Sequence, residues 1–313
     1  MSIVWVVLGF IALVIGGEYL VRASVGLSIK LDVSKLVIGL TVVSFATSAP
    51  ELLVSLNAAL SGSPAMAINN VVGSNIANIG LVLGITALIS PIQVDKSFFR
   101  TNWPSLMVFS IALFYMLVND NILSIYEGII LFTALIGFII ILISSSTVGN
   151  ADENIDGDLE VASYFKIGLW LIIGSVALYY GSEWLVDGAK TIALDFGVSE
   201  GTIGISLIAI GTSIPELAAS IIAALKQEKA LSLGNLIGSN IFNIGSVLGL
   251  TAIISPIAIN EPQILSNDIF WMLGFAAIIL LLVLLPKRYQ ISRIKGFLLV
   301  LLYCVFMGFV FIK

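Results

Sequence analysis

The sequence predicts an all-α integral membrane protein, with ten transmembrane helices arranged as two inverted five-helix repeats. Three observations predict this fold: the chain is too apolar for a soluble domain, it has ten apolar stretches of spanning length, and its second half repeats its first. Of 313 residues, 59% are hydrophobic and 11% charged, with a mean hydropathy of +1.12. Globular domains have about 25% charged residues. Because a soluble fold of this size cannot bury so much apolar surface, lipid must surround the chain.

The apolar stretches have the length of membrane-spanning helices, which need about 20 apolar residues each. They are continuous rather than alternating, which excludes a transmembrane β-barrel. The ten predicted spans lie near 3–21, 36–60, 67–90, 103–118, 124–144, 165–186, 201–225, 231–254, 268–286 and 293–312. The first has no basic residue before it, so we expect a retained helix rather than a signal peptide. The lone Cys304 and the absence of histidine exclude a disulfide framework and a thiol or imidazole metal site.

The two halves of the chain align without a gap at a shift of 165 residues, the interval from Glu51 to Glu216. VIGLTVVSFATSAPELLVSLNAAL aligns with TIGISLIAIGTSIPELAASIIAAL, and NNVVGSNIANIGLVLGITALISPI aligns with GNLIGSNIFNIGSVLGLTAIISPI. The sequence therefore predicts one unit present twice. The first five-helix repeat is 1–147, an acidic linker is 148–163 and the second repeat is 164–313. The most similar segments are about 36–90 and 201–255.

An odd number of spans in each repeat predicts that the second repeat enters the membrane from the opposite side. This inverted arrangement is typical of secondary transporters. On this topology, all fourteen Lys and Arg residues except Lys190 and Lys313 fall on one side, which the positive-inside rule identifies as cytoplasmic. We therefore expect a multi-pass protein of the cell membrane with both termini extracellular and the 148–163 linker cytoplasmic.

Two glutamates, Glu51 and Glu216, lie in the middle of predicted spans at equivalent positions. An ionisable residue there costs about 2.5–3.5 kcal/mol, so it is retained mainly for function. Structural glutamates that hydrogen-bond neighbouring helices are the alternative. Proline precedes each glutamate and removes a backbone donor, which predicts a helix break. Broken helices at membrane depth are tolerated where they line a cavity. Each break would bring carbonyls, hydroxyls and a carboxylate together, which suits Ca²⁺, Mg²⁺ or Na⁺.

A second polar pair follows on the next span of each repeat, where the sequence reads G-S-N-x-x-N. Ser74 and Asn78 are four residues apart and share a helix face, as do Ser239 and Asn243. Close helix packing through the small residues is the alternative interpretation. Inverted repeats would bring both glutamates and both amides to the membrane midplane. Two carboxylates neutralise one Ca²⁺, and their oxygens with nearby carbonyls reach the roughly six to eight ligands that Ca²⁺ prefers.

At these residues the sequence resembles the sodium/calcium exchangers of the calcium/cation antiporter superfamily, prokaryotic type. The resemblance covers nearly the whole chain and rests on the doubled T-S-x-P-E and G-S-N-x-x-N motifs. It implies that Glu51, Glu216 and the carbonyls of Thr47 and Thr212 bind Ca²⁺. It implies sodium sites built from the same glutamates and from Thr47, Ser48, Ser74, Thr212, Ser213, Ser239 and the carbonyls of Ser44 and Ala209. Asn78 and Asn243 would line the central position.

Departures from the family pattern refine the expectation. Ala46 replaces a glycine at the first break, which would stiffen it slightly. Potassium-dependent relatives have aspartate where this chain has Asn243, which argues against potassium dependence. The Ser74 and Ser239 segments contain no carboxylate, which argues against the calcium/proton branch. The short linker leaves no room for the large calcium-sensing domains of animal exchangers.

The sequence therefore predicts a sodium/calcium antiporter that works by alternating access, with an expected stoichiometry of three Na⁺ to one Ca²⁺. The second hypothesis is a calcium/proton or other divalent cation antiporter using the same glutamates. An intramembrane protease with paired carboxylates and a channel are more distant alternatives. The resemblance implies a transporter rather than an enzyme, and no cofactor. The predicted partners are Ca²⁺, Na⁺ and the lipid bilayer, with no nucleic acid, and the oligomeric state is left open, a monomer included.

Overall fold

The computed structural model describes residues 2–146, 162–197, 210–259, 262–286 and 289–312. Within them, eight helices are long and apolar enough to cross a membrane, or nine if one bent pair counts as a single span. The helices are α1 (Ser2–Leu31), α2 (Lys35–Thr47), α3 (Ala49–Leu60), α4 (Ala65–Ile89), α5 (Phe98–Asp120), α6 (Ile125–Ser145), α7 (Tyr164–Asp195), α8 (Ile214–Leu225), α9 (Lys229–Ile254), α10 (Ile264–Leu284) and α11 (Arg293–Ile312). The predicted helical membrane fold is confirmed. The predicted span near 201–225 is described only from residue 210 onward, and the acidic linker lies almost wholly outside the described residues.

Helices α1 and α7 are longer than the predicted spans near 3–21 and 165–186. No proline interrupts either helix, and the first left-handed residues after them are Asp32 (φ 56°) and Gly197 (φ 81°). Helices commonly end at such a residue. The longer α1 places Arg22 on a helix, where a loop was expected.

The helices α1 and α7 pack so closely that their backbones touch. A Cβ atom added to Gly9 would lie 2.6 Å from the backbone nitrogen of Leu185, and one added to Gly16 would lie 2.7 Å from that of Leu178. As residue numbers rise along α1, the facing numbers fall along α7. The first long helix of each half therefore runs antiparallel to the other.

The helices α4 and α9 form the centre of the bundle. Of their most apolar stretches, 72% and 83% respectively are buried, against no more than 33% in the other long helices. Each central helix contains a π-helical turn, beginning at Asn78 in α4 and at Asn243 in α9. Such turns occur frequently at functional sites.

The predicted helix break is confirmed in the first half, where α2 and α3 meet at Ser48 with a bend of 43°. The helix α2 crosses the central helix α9 in backbone contact. A Cβ atom on Gly39 would lie 2.5 Å from the carbonyl oxygen of Leu231, and one on Gly234 would lie 2.5 Å from that of Leu36. This crossing brings the first break against the centre of the second half.

Two short antiparallel sheets, which the sequence did not predict, join the halves. The strand β1 (Ile92–Gln93) pairs with β4 (Gln290–Ile291), and β2 (Ile122–Leu123) pairs with β3 (Ile257–Ala258). β1 precedes α5 and β2 follows it, whereas β3 precedes α10 and β4 follows it. Each sheet therefore joins the loop before one of these helices to the loop after the other.

Enlarging a glycine at the α1–α7 contact should destabilise the protein. A Cβ atom on Gly174 would lie 2.7 Å from the backbone nitrogen of Leu20, whereas nothing described lies within 4 Å of one on Gly168, an earlier residue of the same helix. Overpacking typically costs about 1–3 kcal/mol. We expect Gly174→Val to lower the melting temperature in detergent by several degrees and Gly168→Val to leave it nearly unchanged. Equal melting temperatures for the two variants would contradict the close contact.

Candidate cation site

The two predicted glutamates occupy equivalent places in the fold, each in the first turn of a helix. Glu51 is in α3 and Glu216 in α8, and in both helices a proline stands at the start. Proline is tolerated there because the first backbone N–H groups have no partner within the helix. Both glutamate side chains are fully buried. The positive end of each helix dipole therefore lies beside a buried carboxyl group.

Three of the four oxygens of the two carboxyl groups lack a hydrogen-bond partner. Both oxygens of Glu51 and Oε2 of Glu216 are buried without any hydrogen bond. The hydroxyl of Ser48 donates to Oε1 of Glu216 at 3.4 Å. An ionised carboxylate buried in this way is destabilised by several kcal/mol unless a counter-charge is present. A cation bound between the halves would supply that charge.

Hydroxyl pairs from opposite halves of the chain lie next to the starts of the two glutamate helices. Ser74 Oγ lies 3.0 Å from Thr212 Oγ1, and Thr47 Oγ1 lies 3.3 Å from Ser239 Oγ. The first pair joins α4 to the turn that precedes α8, and the second joins the break at Ser48 to α9. Thr47, Ser74 and Ser239 are fully buried, and Thr212 is half-buried. The predicted site hydroxyls are thus brought together in space.

Of the remaining predicted residues, two serines are also buried, and one residue lies outside the described part of the chain. Ser44 and Ser213 are buried, and Ser213 Oγ has no hydrogen-bond partner. The Ser44 hydroxyl donates to the carbonyl oxygen of Gly39 at 2.7 Å and also lies 3.1 Å from the carbonyl oxygen of Asn235. Ala209 lies outside the described residues.

The predicted amides at the π-helical turns are both fully buried, but their surroundings differ. Asn243 Nδ2 donates to Asn75 Oδ1 at 3.1 Å, which leaves Asn243 Oδ1 without a partner. Neither polar atom of the Asn78 side chain has a hydrogen-bond partner. The equivalent of Asn75 is Asn240, whose Nδ2 donates to the carbonyl of Leu236 in its own helix. These free amide atoms are further candidates for contact with a cation.

Sequence reasoning missed two asparagines, Asn70 and Asn235, one in each central helix. Asn70 Nδ2 donates to Ser55 Oγ at 3.0 Å, and Asn235 Nδ2 donates to Ser220 Oγ at 3.0 Å. A signal was available, because each asparagine stands four residues before a predicted site serine and therefore on the same helix face.

The predicted and missed residues together present only oxygen and amide groups around two carboxyl groups. Hard cations such as Na⁺ and Ca²⁺ prefer oxygen ligands, whereas softer metals prefer thiolate or imidazole. The burial also excludes bulk water, which strengthens every charge interaction at the site. The arrangement can bind a small hard cation between the two halves of the chain.

Removing one negative charge should raise the melting temperature of the ion-free protein and abolish its further stabilisation by calcium. We expect Glu216→Gln to melt at a higher temperature than the wild type in ion-free detergent, because the two buried carboxyl groups no longer repel each other. Calcium at a hundred times its dissociation constant would stabilise the wild type by about 2.7 kcal/mol, and we expect no such increase in the variant. The control is Glu183→Gln, which changes an exposed carboxylate. A calcium-dependent shift of normal size in Glu216→Gln would contradict the assignment.

Known proteins resemble the chain along nearly its whole length. Residues 1–144 and 166–312 match the family described as sodium/calcium exchanger protein. The chain is 37% identical over 298 residues to an uncharacterized membrane protein of Methanocaldococcus jannaschii, covering 95% of this chain and 94% of that protein. It is 29% identical over 346 residues to the sodium/calcium exchanger MaX1 of Methanosarcina acetivorans, covering 97% of each. A solved structure of the sodium-calcium exchanger NCX_Mj is 34% identical and matches with a TM-score of 0.81, covering 98% of this chain and 97% of that one. The chain therefore belongs to the sodium/calcium exchanger family.

Proposed function

We propose that this antiporter exchanges Na⁺ for Ca²⁺ across the cell membrane by alternating access, with three Na⁺ for one Ca²⁺ and without potassium. The observation that carries the proposal is the pair of buried glutamates whose oxygens are mostly unpartnered. Glu51 and Glu216 come from opposite halves of the chain. A bound cation would therefore hold the two halves together, and its release would allow them to move apart.

The charge count at the site supports exchange of one Ca²⁺ for several Na⁺. Two carboxylates give a charge of −2, so the site is neutral with Ca²⁺ and carries +1 with three Na⁺. The two loads would share the glutamates, so they exclude one another. A positive charge moving with each sodium-loaded passage makes the proposed transport electrogenic.

The ligand chemistry favours calcium over magnesium as the divalent substrate. We propose that Ca²⁺ binds to Glu51, Glu216 and the carbonyls of Thr47 and Thr212. We propose that Na⁺ uses the same glutamates with the hydroxyls of Thr47, Ser48, Ser74, Thr212, Ser213 and Ser239 and the carbonyls of Ser44 and Ala209. Asn78 and Asn243 would line the central position. Magnesium demands a compact octahedron and usually keeps several waters. A site supplied wholly by protein oxygens therefore suits calcium better.

Neutral amides at the centre support independence from potassium and protons. Asn243 and Asn78 carry no charge, so the proposed site has no third carboxylate to balance an additional K⁺. The neighbouring serine segments also have no carboxylate that could accept a proton. A proton-coupled antiporter using Glu51 and Glu216 remains the second candidate, because two buried carboxyl groups can also be neutralised by protons.

Two contacts support the inverted arrangement of the halves, residues 1–147 and 164–313. The first long helices, α1 and α7, are antiparallel. In addition, the loop that precedes α5 pairs with the loop that follows α10, and the reverse pairing also occurs. Equivalent loops of the two halves would then lie on opposite membrane faces. Together with the Lys and Arg residues on one side, this supports the proposed topology, in which the termini are extracellular and the acidic linker is cytoplasmic.

The proposed exchange predicts calcium uptake into sodium-loaded proteoliposomes when sodium is absent outside. We expect this uptake to vanish when the sodium gradient is removed and to remain unchanged when potassium is added. Glu51→Gln should reduce it to background, because one carboxylate cannot neutralise Ca²⁺, and Glu183→Gln should retain it. Uptake that follows a pH gradient and ignores sodium would overturn the sodium proposal in favour of the proton-coupled antiporter. Full uptake by Glu51→Gln would overturn the site.

Ion pairs between the halves occur on the face that the topology assigns to the cytoplasm. Lys226 Nζ lies 2.7 Å from Glu18 Oε1, and Lys35 Nζ lies 2.8 Å from Glu228 Oε2. Each pair joins the first half to the second. These contacts would favour the state in which the cytoplasmic side of the site is closed.

The opposite face cannot form the same contacts, because the positions equivalent to Lys226 and Glu228 are Ser61 and Ser63. Replacing both charged residues with serine should therefore make the cytoplasmic-open state more populated. Exposed ion pairs contribute about 0.2–1 kcal/mol each. For two pairs we therefore expect the apparent calcium affinity at the cytoplasmic face to rise about twofold to thirtyfold relative to the other face. Sided vesicles with calcium on one face measure this ratio. Lys190→Ser removes a positive charge on the opposite side and serves as the control. An unchanged ratio in the double variant would show that the ion pairs do not bias access.

A further inference from the structure

Two buried asparagines make the same set of contacts in the two halves of the chain. Asn70 lies in α4 and Asn235 in α9, and they are equivalent at the shift of 165 residues. Only 8% and 1% of their surfaces, respectively, are exposed. Neither belongs to the motifs from which the site was predicted. A contact set that recurs in both halves indicates a role that each half requires.

Asn235 connects the glutamate helix of its own half to the helix break of the other half. Its Nδ2 donates to Ser220 Oγ at 3.0 Å and approaches the carbonyl oxygen of Glu216 at 3.5 Å. Its Oδ1 accepts from Thr47 Oγ1 at 3.1 Å and from Ser239 Oγ at 3.4 Å. The amide therefore uses its donor on one side and its acceptor on the other.

Asn70 repeats this arrangement, with a longer contact to its threonine. Its Nδ2 donates to Ser55 Oγ at 3.0 Å and to the carbonyl oxygen of Glu51 at 3.4 Å. Its Oδ1 accepts from Thr212 Oγ1 at 3.4 Å. The Thr212 hydroxyl also lies 3.0 Å from that of Ser74. The same two kinds of group, a glutamate helix and a threonine at a break, are joined in both halves.

We propose that Asn70 and Asn235 are positioning residues that orient the threonine hydroxyls of the two helix breaks for sodium. The inference rests on the proposed sodium/calcium exchange and extends it to residues that do not themselves need to touch the ion. Asn235 acts through Thr47, and Asn70 acts through Thr212.

The physical reason is the single hydrogen of a hydroxyl group. A threonine hydroxyl binds a cation through its lone pairs, so its hydrogen must point elsewhere. Thr47 has its shortest hydroxyl contact with Asn235 Oδ1. Donation to this amide directs the hydrogen away and leaves the oxygen lone pairs free for a cation. An amide oxygen can accept two such hydrogens, which fits the additional contact from Ser239.

Asparagine suits these two positions because its side chain offers both a hydrogen-bond donor and an acceptor. Leucine would fill the space but offer neither donor nor acceptor. Aspartate would keep the acceptor, lose the donation to the serine of the glutamate helix and add a third negative charge beside Glu51 and Glu216. Asparagine performs both tasks and stays neutral, which preserves the charge of −2 on which the proposed exchange depends.

Sodium and calcium should respond differently to the loss of these amides. In the proposed site, Ca²⁺ uses the glutamates and the threonine carbonyls, whereas Na⁺ also uses the threonine hydroxyls. Loss of the amide acceptor removes the hydrogen bond that orients the Thr47 hydroxyl. The Thr47 carbonyl is held by the backbone and should keep its position. The sodium concentration that gives half-maximal transport should therefore rise far more than the calcium concentration that gives half-maximal transport.

The test is a double-mutant cycle between Asn235→Ala and Thr47→Val in the full-length protein in proteoliposomes. We expect each single variant to raise the half-maximal sodium concentration about tenfold, with calcium self-exchange reduced threefold or less. The double variant should resemble the single ones, because residues that act through one contact are not additive. For Asn70→Ala with Thr212→Val we expect a smaller, roughly threefold effect, since that contact is longer. This second cycle also carries the test if Asn235→Ala does not fold.

The matched control is Ser232→Ala, which removes a buried hydroxyl of α9 bonded to the carbonyl of Ser220 at 3.0 Å and away from the threonines. It should keep the wild-type half-maximal sodium concentration. Additive losses, or equal losses of sodium response and calcium self-exchange, would show that the asparagines are merely structural and overturn the inference.

A second readout separates this inference from the proposed function. Sodium-dependent stabilisation of the detergent-solubilised protein reports sodium binding without transport. Absence of sodium-driven calcium uptake by the wild type would overturn the proposed exchange alone. An equal rise in melting temperature with sodium for the wild type and Asn235→Ala would overturn the inference alone.

Discussion

Two buried carboxyl groups with a single hydrogen bond between them, from Ser48 to Glu216, impose the main constraint on this structure. Burying an ionised carboxylate costs several kcal/mol even after the protein relaxes. A helix N-terminus offsets about 0.3–1 kcal/mol of this, and about 2 kcal/mol in the best buried geometries. The helix starts beside Glu51 and Glu216 therefore cannot balance both charges. The two buried charges are balanced only when a cation or protons occupy the site. An antiporter requires a site that must always be occupied by one of its substrates.

The rest of the architecture places these groups where a cation can reach them. Proline begins α3 and α8 without disturbing a hydrogen bond, so the chain can break at the depth of the glutamates. The backbone contact between Gly39 of α2 and Gly234 of α9 then brings the first break against the central helix of the other half. Larger residues at these two glycines would separate Thr47 from Asn235. The two glycines therefore permit both the close helix crossing and the contact between Thr47 and Asn235.

Much of this could be predicted from the sequence, because lipid leaves few choices. Continuous apolar stretches predicted the long helices, and a proline before a mid-span glutamate predicted the break at Ser48. The true ends of α1 and α7 were missed because charged residues such as Arg22 were interpreted as loop, although nothing there interrupts a helix. The short strands were missed because a two-residue strand exists only through its distant partner.

The missed asparagines show a different limit. Asn70 and Asn235 stand at the helical spacing of the predicted serines, so the sequence predicts that they share a face. Spacing alone cannot say which way an amide points or which half of the chain supplies its partner. Those facts depend on the crossing of α2 with α9 and on its counterpart at Thr212, and both arise only when the two halves assemble.

The duplicated sequence does not give a duplicated set of contacts, and this inequality bears on how the site could open to each side in turn. Asn75 accepts a hydrogen bond from Asn243, whereas the equivalent Asn240 donates within its own helix and Asn78 has no partner. In alternating access, two related halves adopt different conformations and exchange them. In the proposed cycle, equal contacts in both halves would correspond to a midpoint, and unequal contacts would correspond to one end. The ion pairs of Lys226 and Glu228 would form at this end only, because the residues at the equivalent positions are serines. In the proposed cycle the two ends would therefore differ in energy, whereas the candidate ion site, built from matched residues of the two halves, would be common to both.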